Sequence, residues 1–108
     1  MRILTINPGS TSTKVAVFDN QKRIAKATIK HDTSELLQIE TLVDQLSLRQ
    51  SVVEDFLDEY GIDLTTIDGF IGRGGLLKPL ESGLYEVNPT MIETLSTNRY
   101  GVHASNLG

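Results

Sequence analysis

Near the start of the chain, two short and mostly apolar runs are separated by eight residues that are nearly all small or polar. The runs are residues 3–6 and 15–18, and the segment between them reads Asn-Pro-Gly-Ser-Thr-Ser-Thr-Lys. Short apolar runs with β-branched residues, bounded by turn formers, are typical of buried strands. The pattern therefore predicts a hairpin, and a loop of this length is longer than a hairpin needs.

The next stretch predicts a third strand and then helix. Residues 23–30 alternate polar and apolar, which indicates a strand with one solvated face. Residues 31–46 fit a helical stripe only loosely, and residues 48–60 fit one well. For the second helix we predict a capping box of Ser47 and Gln50 at its start and Gly61 as its stop. Its apolar face would be Val52, Val53, Phe56, Leu57 and Tyr60.

A fourth strand is predicted at residues 67–71. Because a long helical crossover precedes it, we expect it to lie parallel to the first strand. An antiparallel three-strand meander, then a helix and a parallel strand, is the start of a ribonuclease-H-like α/β fold with a mixed sheet. Beyond it, strand pairing is expected around residues 84–87, and Asn88 and Pro89 are predicted to open a short helix. The inner face of that helix would be Met91, Ile92 and Leu95.

Bulk composition limits the partners. The chain has 108 residues, enough for one domain, and a formal net charge of -4; nucleic-acid binders usually have a basic face. It has no Cys and only two His, so a zinc site or a disulfide framework is not expected. No run has transmembrane or signal-sequence length. We expect a cytoplasmic protein that binds neither nucleic acid nor membrane.

Residues 7–14 are the strongest site candidate, and they have the chemistry of an anion site. Glycine permits φ > 0 and close approach of a ligand, successive N–H groups in a tight turn form an anion-binding nest, and the lysine adds positive charge. A Walker A loop is excluded, because it needs Gly before Lys and a helix after it. On composition alone an ordinary Ser/Thr-rich hairpin loop is the commoner explanation. The candidates are Asn7, Gly9, Ser10, Thr11, Ser12 and Lys14.

A second cluster follows the fourth strand. Arg73 lies between glycines, followed by Gly74 and Gly75. If strands one and four are parallel, their carboxyl ends lie at one edge of the sheet, where ligands bind in open α/β sheets. We therefore expect the two turns to meet there. His103 is equally compatible with a site role and with a hydrogen-bonded helix start, and His31 is expected to be solvated.

The order Asn-x-Gly-Ser-x-Ser-x-Lys after the first strand resembles the opening motif of the acetate and butyrate kinase family, within the superfamily of actin, hexokinase and sugar kinases. Residues 72–79, 85–88 and 101–108 resemble butyrate kinases and branched-chain fatty acid kinases. Arg73 stands where acetate kinases have the His of a His-Gly-Gly pattern, and Phe70 falls near their acetate-binding Arg. A larger, more apolar acid is therefore more plausible than acetate.

The resemblance implies a kinase that converts ATP and a short-chain carboxylate into ADP and an acyl phosphate, with Mg²⁺ as cofactor. Asn7 would position Mg²⁺ through water, and Ser10, Ser12 and Lys14 would hold phosphates. Arg73, Gly74, Gly75 and His103 would border the acid, with Arg73 and Lys14 catalytic.

The resemblance also implies that residues 1–108 are one truncated N-terminal domain of a two-domain kinase. The C-terminal lobe of the same enzyme would complete the site, so this segment alone is expected to be inactive, and the full-length enzyme is expected to be a homo-oligomer. The alternatives are an acetate or propionate kinase, and a phosphate-binding module that is not catalytic by itself. A sugar or glycerol kinase is disfavoured by Asn7 in place of Asp.

Overall fold

Four strands form one mixed sheet in the computed structural model, which describes residues 1–37, 43–79, 81 and 83–108. The strands are β1 (Arg2–Pro8), β2 (Ser12–Asp19), β3 (Lys22–Lys30) and β4 (Gly69–Gly72). Their order is β3-β2-β1-β4, with β1, β2 and β3 antiparallel and β4 parallel to β1. The predicted meander and parallel fourth strand are confirmed. The mixed α/β fold is that of the N-terminal domain of actin-like ATPases.

Three α-helices accompany the sheet in the described part of the chain: α1 (Thr33–Leu37), α2 (Leu46–Glu59) and α3 (Pro89–Ser96). Short 3₁₀ turns lie at Val43–Gln45, Leu64–Thr66 and Ala104–Leu107. The loose helical stripe predicted over residues 31–46 includes residues 38–42, which lie outside the described residues. None of the described helices has the length and apolar character needed to cross a membrane.

Helix α2 packs on one face of the sheet and makes the core there. Its Phe56 and Leu57 are buried against Leu4, Val15 and Val17. Cross-strand partners share a face of a sheet, and Leu4 pairs with Val17. The alternate pairs, Thr5 with Ala16 and Asn7 with Lys14, therefore lie on the opposite face.

The predicted start of α2 is wrong, and its predicted stop is confirmed. The helix begins at Leu46, and its N-cap residue is Gln45, which has helical dihedral angles and makes no side-chain capping bond. The 3₁₀ turn before α2 runs directly into the helix, so no extended residue is available to cap it as Ser47 was expected to do. Gly61 follows the helix with a φ of +65°, as expected for a glycine stop.

After β4, the structure confirms the predicted helix α3 but not the strand pairing predicted before it. Asn88 caps α3 as predicted: its Oδ1 accepts from the N–H of Met91 at 2.9 Å. The pairing expected around residues 84–87 is wrong, because no strand forms there. Ile92, predicted to face inward, is 56% exposed, so the inner face of the helix is limited to Met91 and Leu95, which are half-buried.

Candidate functional site

The hairpin turn between β1 and β2 is shorter than its sequence indicated. Strand β1 continues to Pro8 and β2 begins at Ser12, so only residues 9–11 lie between them. The N–H of Gly9 donates to the carbonyl oxygen of Ser12 at 2.7 Å and closes the turn. The expectation of an overlong loop is therefore wrong, because polar residues that look like loop in the sequence complete the strand ladder.

Two exposed residues at the tip of this turn present unused main-chain donors. Within the described ranges, the N–H groups of Ser10 and Thr11 donate to no other residue. Their carbonyl oxygens, by contrast, accept hydrogen bonds from residues behind the turn. Adjacent N–H groups with free protons are what an anion-binding nest requires, so this turn has the donor arrangement of a phosphate site.

Gly9 has a smaller conformational role than predicted. It is not among the glycines with positive φ, which are Gly61 and Gly101. A Cβ at Gly9 would lie 3.4 Å from the main-chain oxygen and from the Oγ of Ser12, an ordinary contact distance. The predicted need for φ > 0 is therefore wrong, and close approach of a ligand at Gly9 stays a prediction.

Asn7 and Lys14 lie side by side on the sheet face opposite α2. They are a cross-strand pair in the β1–β2 ladder, just below the turn. Lys14 is exposed and Asn7 is half-buried. The ammonium group and the amide therefore start from neighbouring positions at the edge where the free N–H groups lie.

Arg73 joins the same edge through the parallel strand. Its N–H donates to the carbonyl oxygen of Ile6 at 2.9 Å, which continues the β1–β4 ladder by one residue. Because Thr5 pairs with Ile71, strand alternation brings Arg73 to the face that carries Asn7. The prediction that β1 and β4 end at the same edge of the sheet is confirmed, and a site formed there by the two turns stays a prediction.

A cavity of about 630 Å³ opens beside Arg73. Gly74 and Gly75 line it together with apolar side chains that include Leu76, Met91 and Leu95. His103 does not line it. Instead its Nδ1 accepts from the N–H of Ser105 at 3.0 Å and lies 2.8 Å from Ser105 Oγ, so it caps the 3₁₀ turn Ala104–Leu107. Its contribution to an acid site stays a prediction.

Gly75 is held in place by a buried asparagine that the sequence did not reveal. Asn106 Oδ1 accepts from the N–H of Leu76 at 2.8 Å, and its Nδ2 donates to Asn98 Oδ1 and to the oxygen of Gly101. A Cβ at Gly75 would lie 2.5 Å from Asn106 Oδ1. The glycine therefore allows the turn after Arg73 to pack against this asparagine.

Behind the β1–β2 turn lies a buried polar cluster that the sequence did not indicate. Arg49, on α2, is 3% exposed, Thr13 is fully buried and His31 is 9% exposed. The prediction that His31 is solvated is wrong. Burial, and secondly the charge of Arg49, lower the pKa of His31 below 6.5, while Glu35 opposes the shift. Arg49 could have been found, because it lies four residues before Val53 on the apolar face of α2.

The residues at this edge suit a polyphosphate with its magnesium ion. In the described ranges, no group of three or more His, Asp or Glu side chains could hold a metal by itself. Mg²⁺ commonly keeps several waters and takes its remaining ligands from substrate phosphates and one or two protein oxygens. The Asn7 amide offers one such oxygen, so it fits a magnesium ion whose other ligands are waters and phosphate oxygens.

No family model matches the chain, but curated proteins do. Over 107 residues, 99% of the chain, it is 53% identical to a probable butyrate kinase of Coprothermobacter proteolyticus. Over the same length it is 47% identical to a probable butyrate kinase of Clostridium botulinum and 46% identical to butyrate kinase 1 of Clostridium acetobutylicum. The chain spans 30% of the length of each relative. The resemblance drawn from these four segments is confirmed, and the chain is homologous to proteins that carry this name.

Proposed function

We propose that this chain is the N-terminal part of a two-domain kinase that transfers the γ-phosphoryl group of ATP to a short-chain carboxylate. The products would be ADP and an acyl phosphate. One observation carries the proposal: the free N–H groups of Ser10 and Thr11 lie at the same edge of the sheet as Lys14 and Arg73. The identity of 46–53% with proteins named butyrate kinase supports the same assignment. The remaining length of those relatives would supply the adenosine pocket and further charged groups.

The phosphate end of the site would be the β1–β2 turn. Phosphoryl transfer depends mainly on positioning and on stabilisation of charge. The N–H groups of Ser10 and Thr11 and the hydroxyls of Ser10 and Ser12 would hold phosphate oxygens, and Lys14 would balance their charge. Asn7 would orient the magnesium ion, which, when bound, neutralises charge on the phosphates.

The acid end would be Arg73 and the cavity beside it. A guanidinium group binds a carboxylate through two parallel hydrogen bonds, and this holds one carboxylate oxygen toward the phosphorus. The apolar wall, which includes Leu76 and Leu95, suits a butyrate-sized or branched chain better than acetate. The space beside the Gly74 backbone is open, because a Cβ there would meet nothing within 4 Å. The acid would therefore be able to approach the backbone at this residue.

The reaction balances without a proton. One carboxylate oxygen forms a bond to the γ-phosphorus as the bond to the β–γ bridging oxygen breaks, and that oxygen leaves with ADP. Both reactants are anions, so the cationic groups have to lower their repulsion. Lys14 lies on β2 and Arg73 follows β4, on the two sides of β1, and the two side chains would flank the group that is transferred.

Two alternatives make different predictions. An acetate or propionate kinase would prefer a smaller acid, which the size and apolar wall of the cavity do not favour. A phosphate-binding module would bind nucleotide and form no acyl phosphate. Both can be distinguished from the proposed function by one assay.

The test is an assay of the full-length protein that contains this segment. It would be incubated with ATP, Mg²⁺ and acetate, propionate, butyrate or isobutyrate, and acyl phosphate would be trapped with hydroxylamine. We expect hydroxamate from butyrate or isobutyrate at higher kcat/KM than from acetate, and none when acid is omitted. Absence of hydroxamate with every acid would refute the proposed function.

A further inference from the structure

Arg49 is placed to organise the phosphate turn from the far side of the sheet. It lies on α2, in the packed face, where its exposed fraction is 3%. Its Nη1 donates to the carbonyl oxygen of Ser12 at 3.1 Å, and its Nη2 donates to that of Ser10 at 3.4 Å. Gln45 Oε1 accepts from its Nε and Nη2 at 3.2 and 3.1 Å, which fixes the plane of the guanidinium group.

Thr13 and His31 complete the support. Arg49 Nη1 also donates to Thr13 Oγ1 at 3.2 Å, and Thr13 Oγ1 lies 2.8 Å from His31 Nε2. Since the Thr13 oxygen accepts from a guanidinium, we assign its proton to the bond with a neutral His31; this tautomer follows from the network. The main-chain N–H of His31 donates to the carbonyl oxygen of Thr11 at 2.8 Å.

These contacts fix the carbonyl oxygens of three consecutive residues: Ser10 and Thr11 in the turn, and Ser12 at the start of β2. In a trans peptide the C=O and the following N–H point in opposite directions across a rigid plane, and no peptide bond is cis in the described residues. Holding the Ser10 oxygen against Arg49 therefore turns the N–H of Thr11 away from α2. The bond from the His31 N–H to the Thr11 oxygen fixes the next peptide plane from the β3 side of the turn.

The N–H of Thr11 thus points away from Arg49, which lies on the sheet face opposite Asn7 and Lys14. A guanidinium group suits this task better than an ammonium group, because its fixed fork reaches several acceptors at once. It also places a buried positive charge directly behind the peptide units that would face a phosphate. Arg49 touches no substrate in this arrangement.

We propose that Arg49, with Thr13 and His31, is a positioning residue that aims the turn's N–H groups at the phosphates of a nucleoside triphosphate. The proposal rests on the proposed function for the identity of the ligand. It adds that the affinity of the turn for phosphate depends on a side chain contributed by α2 through the core.

The test compares the full-length wild-type protein with Arg49→Lys, Arg49→Met and Thr13→Val, and with Arg23→Lys as a control on the exposed part of β3. Calorimetry would measure the Kd for ATP with Mg²⁺, and steady-state kinetics would measure KM for ATP and for the acid separately. The melting temperature of each variant would report folding. Loss of one charge-assisted hydrogen bond commonly weakens binding about ten-fold.

We expect Arg49→Lys to raise the Kd and KM for ATP about ten-fold, with KM for the acid within about two-fold of wild type. Thr13→Val should shift the same two quantities in the same direction, and Arg23→Lys should shift neither. Equal ATP affinity in folded Arg49→Lys would overturn the inference, as would a parallel loss of ATP and acid affinity. If neither Arg49 variant folds, folded Thr13→Val decides: unchanged ATP affinity in it overturns the inference.

The two proposals fail separately. If the wild-type protein forms no acyl phosphate but its ATP affinity falls in the Arg49 variants, the proposed function is wrong and the positioning role stands. If acyl phosphate forms while ATP affinity is independent of Arg49, only the positioning role is wrong.

Discussion

The guanidinium group of Arg49 donates to the main-chain oxygen of Ser12, 3.1 Å away and 37 residues earlier in the chain. This bond connects the core helix α2 with the turn between β1 and β2. A buried arginine costs free energy unless its donors are satisfied, and here turn carbonyls satisfy several of them. The packing of α2 and the shape of the turn are therefore coupled, so a change in the core can alter a site on the opposite face of the sheet.

Replacing Lys14 tests the cation of the proposed phosphate site. We expect Lys14→Ala in the full-length enzyme to lower kcat about 100-fold, because groups that stabilise charge in a transition state typically contribute that much. The hydroxylamine assay at saturating ATP and acid measures it. Lys22→Ala, at the β2–β3 turn, is a matched control, since Lys22 lies at the opposite end of β2. Wild-type kcat in the Lys14 variant would remove that residue from the site.

Replacing Arg73 tests the acid end. We expect Arg73→Met to raise KM for the acid about 30-fold with KM for ATP nearly unchanged, because a hydrogen-bonded charge pair with the carboxylate is lost. Initial rates over a range of butyrate concentrations at fixed ATP measure it. Arg99→Met, on a segment that does not line the cavity, serves as the control. A rise in KM for ATP alone would place Arg73 at the phosphates instead.

The sheet could be predicted from the sequence because the patterns that determine it lie within short stretches of the chain. Apolar runs, the turn cluster and the long crossover determine two hairpins and a parallel fourth strand, which places Arg73 beside Asn7. The extent of the hairpin could not be predicted in this way. Polar residues such as Ser12 and Thr13 are typical of loops, but both pair with β3 and the ladder extends through them, because strand pairing satisfies backbone polar groups.

The hydrogen bonds that support the candidate site from behind could not be predicted, because they join residues that are far apart in the sequence. Nothing near His31 in the sequence indicates that it meets Thr13 at 2.8 Å, and nothing near Asn106 indicates that it accepts from Leu76, 30 positions earlier. Such partners become visible only once α2 and the C-terminal 3₁₀ turn have packed. Candidate residues at the carboxyl edge of the sheet could be found from the chemistry of their side chains. The residues packed behind that edge could be found only from the folded structure.

Two neighbouring glycines provide a matched test of packing. We expect Gly75→Ala to lower stability by about 1–3 kcal/mol, because its Cβ would meet Asn106 Oδ1 at 2.5 Å and Leu95 Cδ2 at 2.7 Å. Gly74→Ala should leave stability within about 0.5 kcal/mol, since its Cβ would meet nothing within 4 Å. Denaturant unfolding of the full-length protein measures both. Equal losses in the two variants would contradict the packing of Gly75 on Asn106.

The Gly74 variant also tests the acid pocket. A methyl group at Gly74 would project where the acid is proposed to approach, so we expect a several-fold rise in KM for the acid without loss of stability. If KM for the acid in folded Gly74→Ala equals the wild-type value, the acid does not approach the backbone there.

Acid pH should destabilise the protein through His31. Burial and the charge of Arg49 lower its folded pKa below 6.5, with Glu35 opposing, so below that pH the unfolded chain binds the proton more readily. His31 therefore contributes its full stability above about pH 6.5 and loses it as pH falls from there through the folded pKa. The slope for one proton cannot exceed about 1.4 kcal/mol per pH unit.

Denaturant midpoints of the full-length protein between pH 5 and pH 8 measure this dependence. Glutamine at position 31 can accept the Thr13 hydroxyl and does not titrate, so His31→Gln should flatten the slope below about pH 6.5. His103→Gln, at the exposed cap of the 3₁₀ turn Ala104–Leu107, is the control and should keep the wild-type slope. If wild type and His31→Gln lose stability equally as pH falls, His31 is not held in its neutral form behind the turn, and the His31 ring would have to donate to the Thr13 oxygen instead of accepting from it.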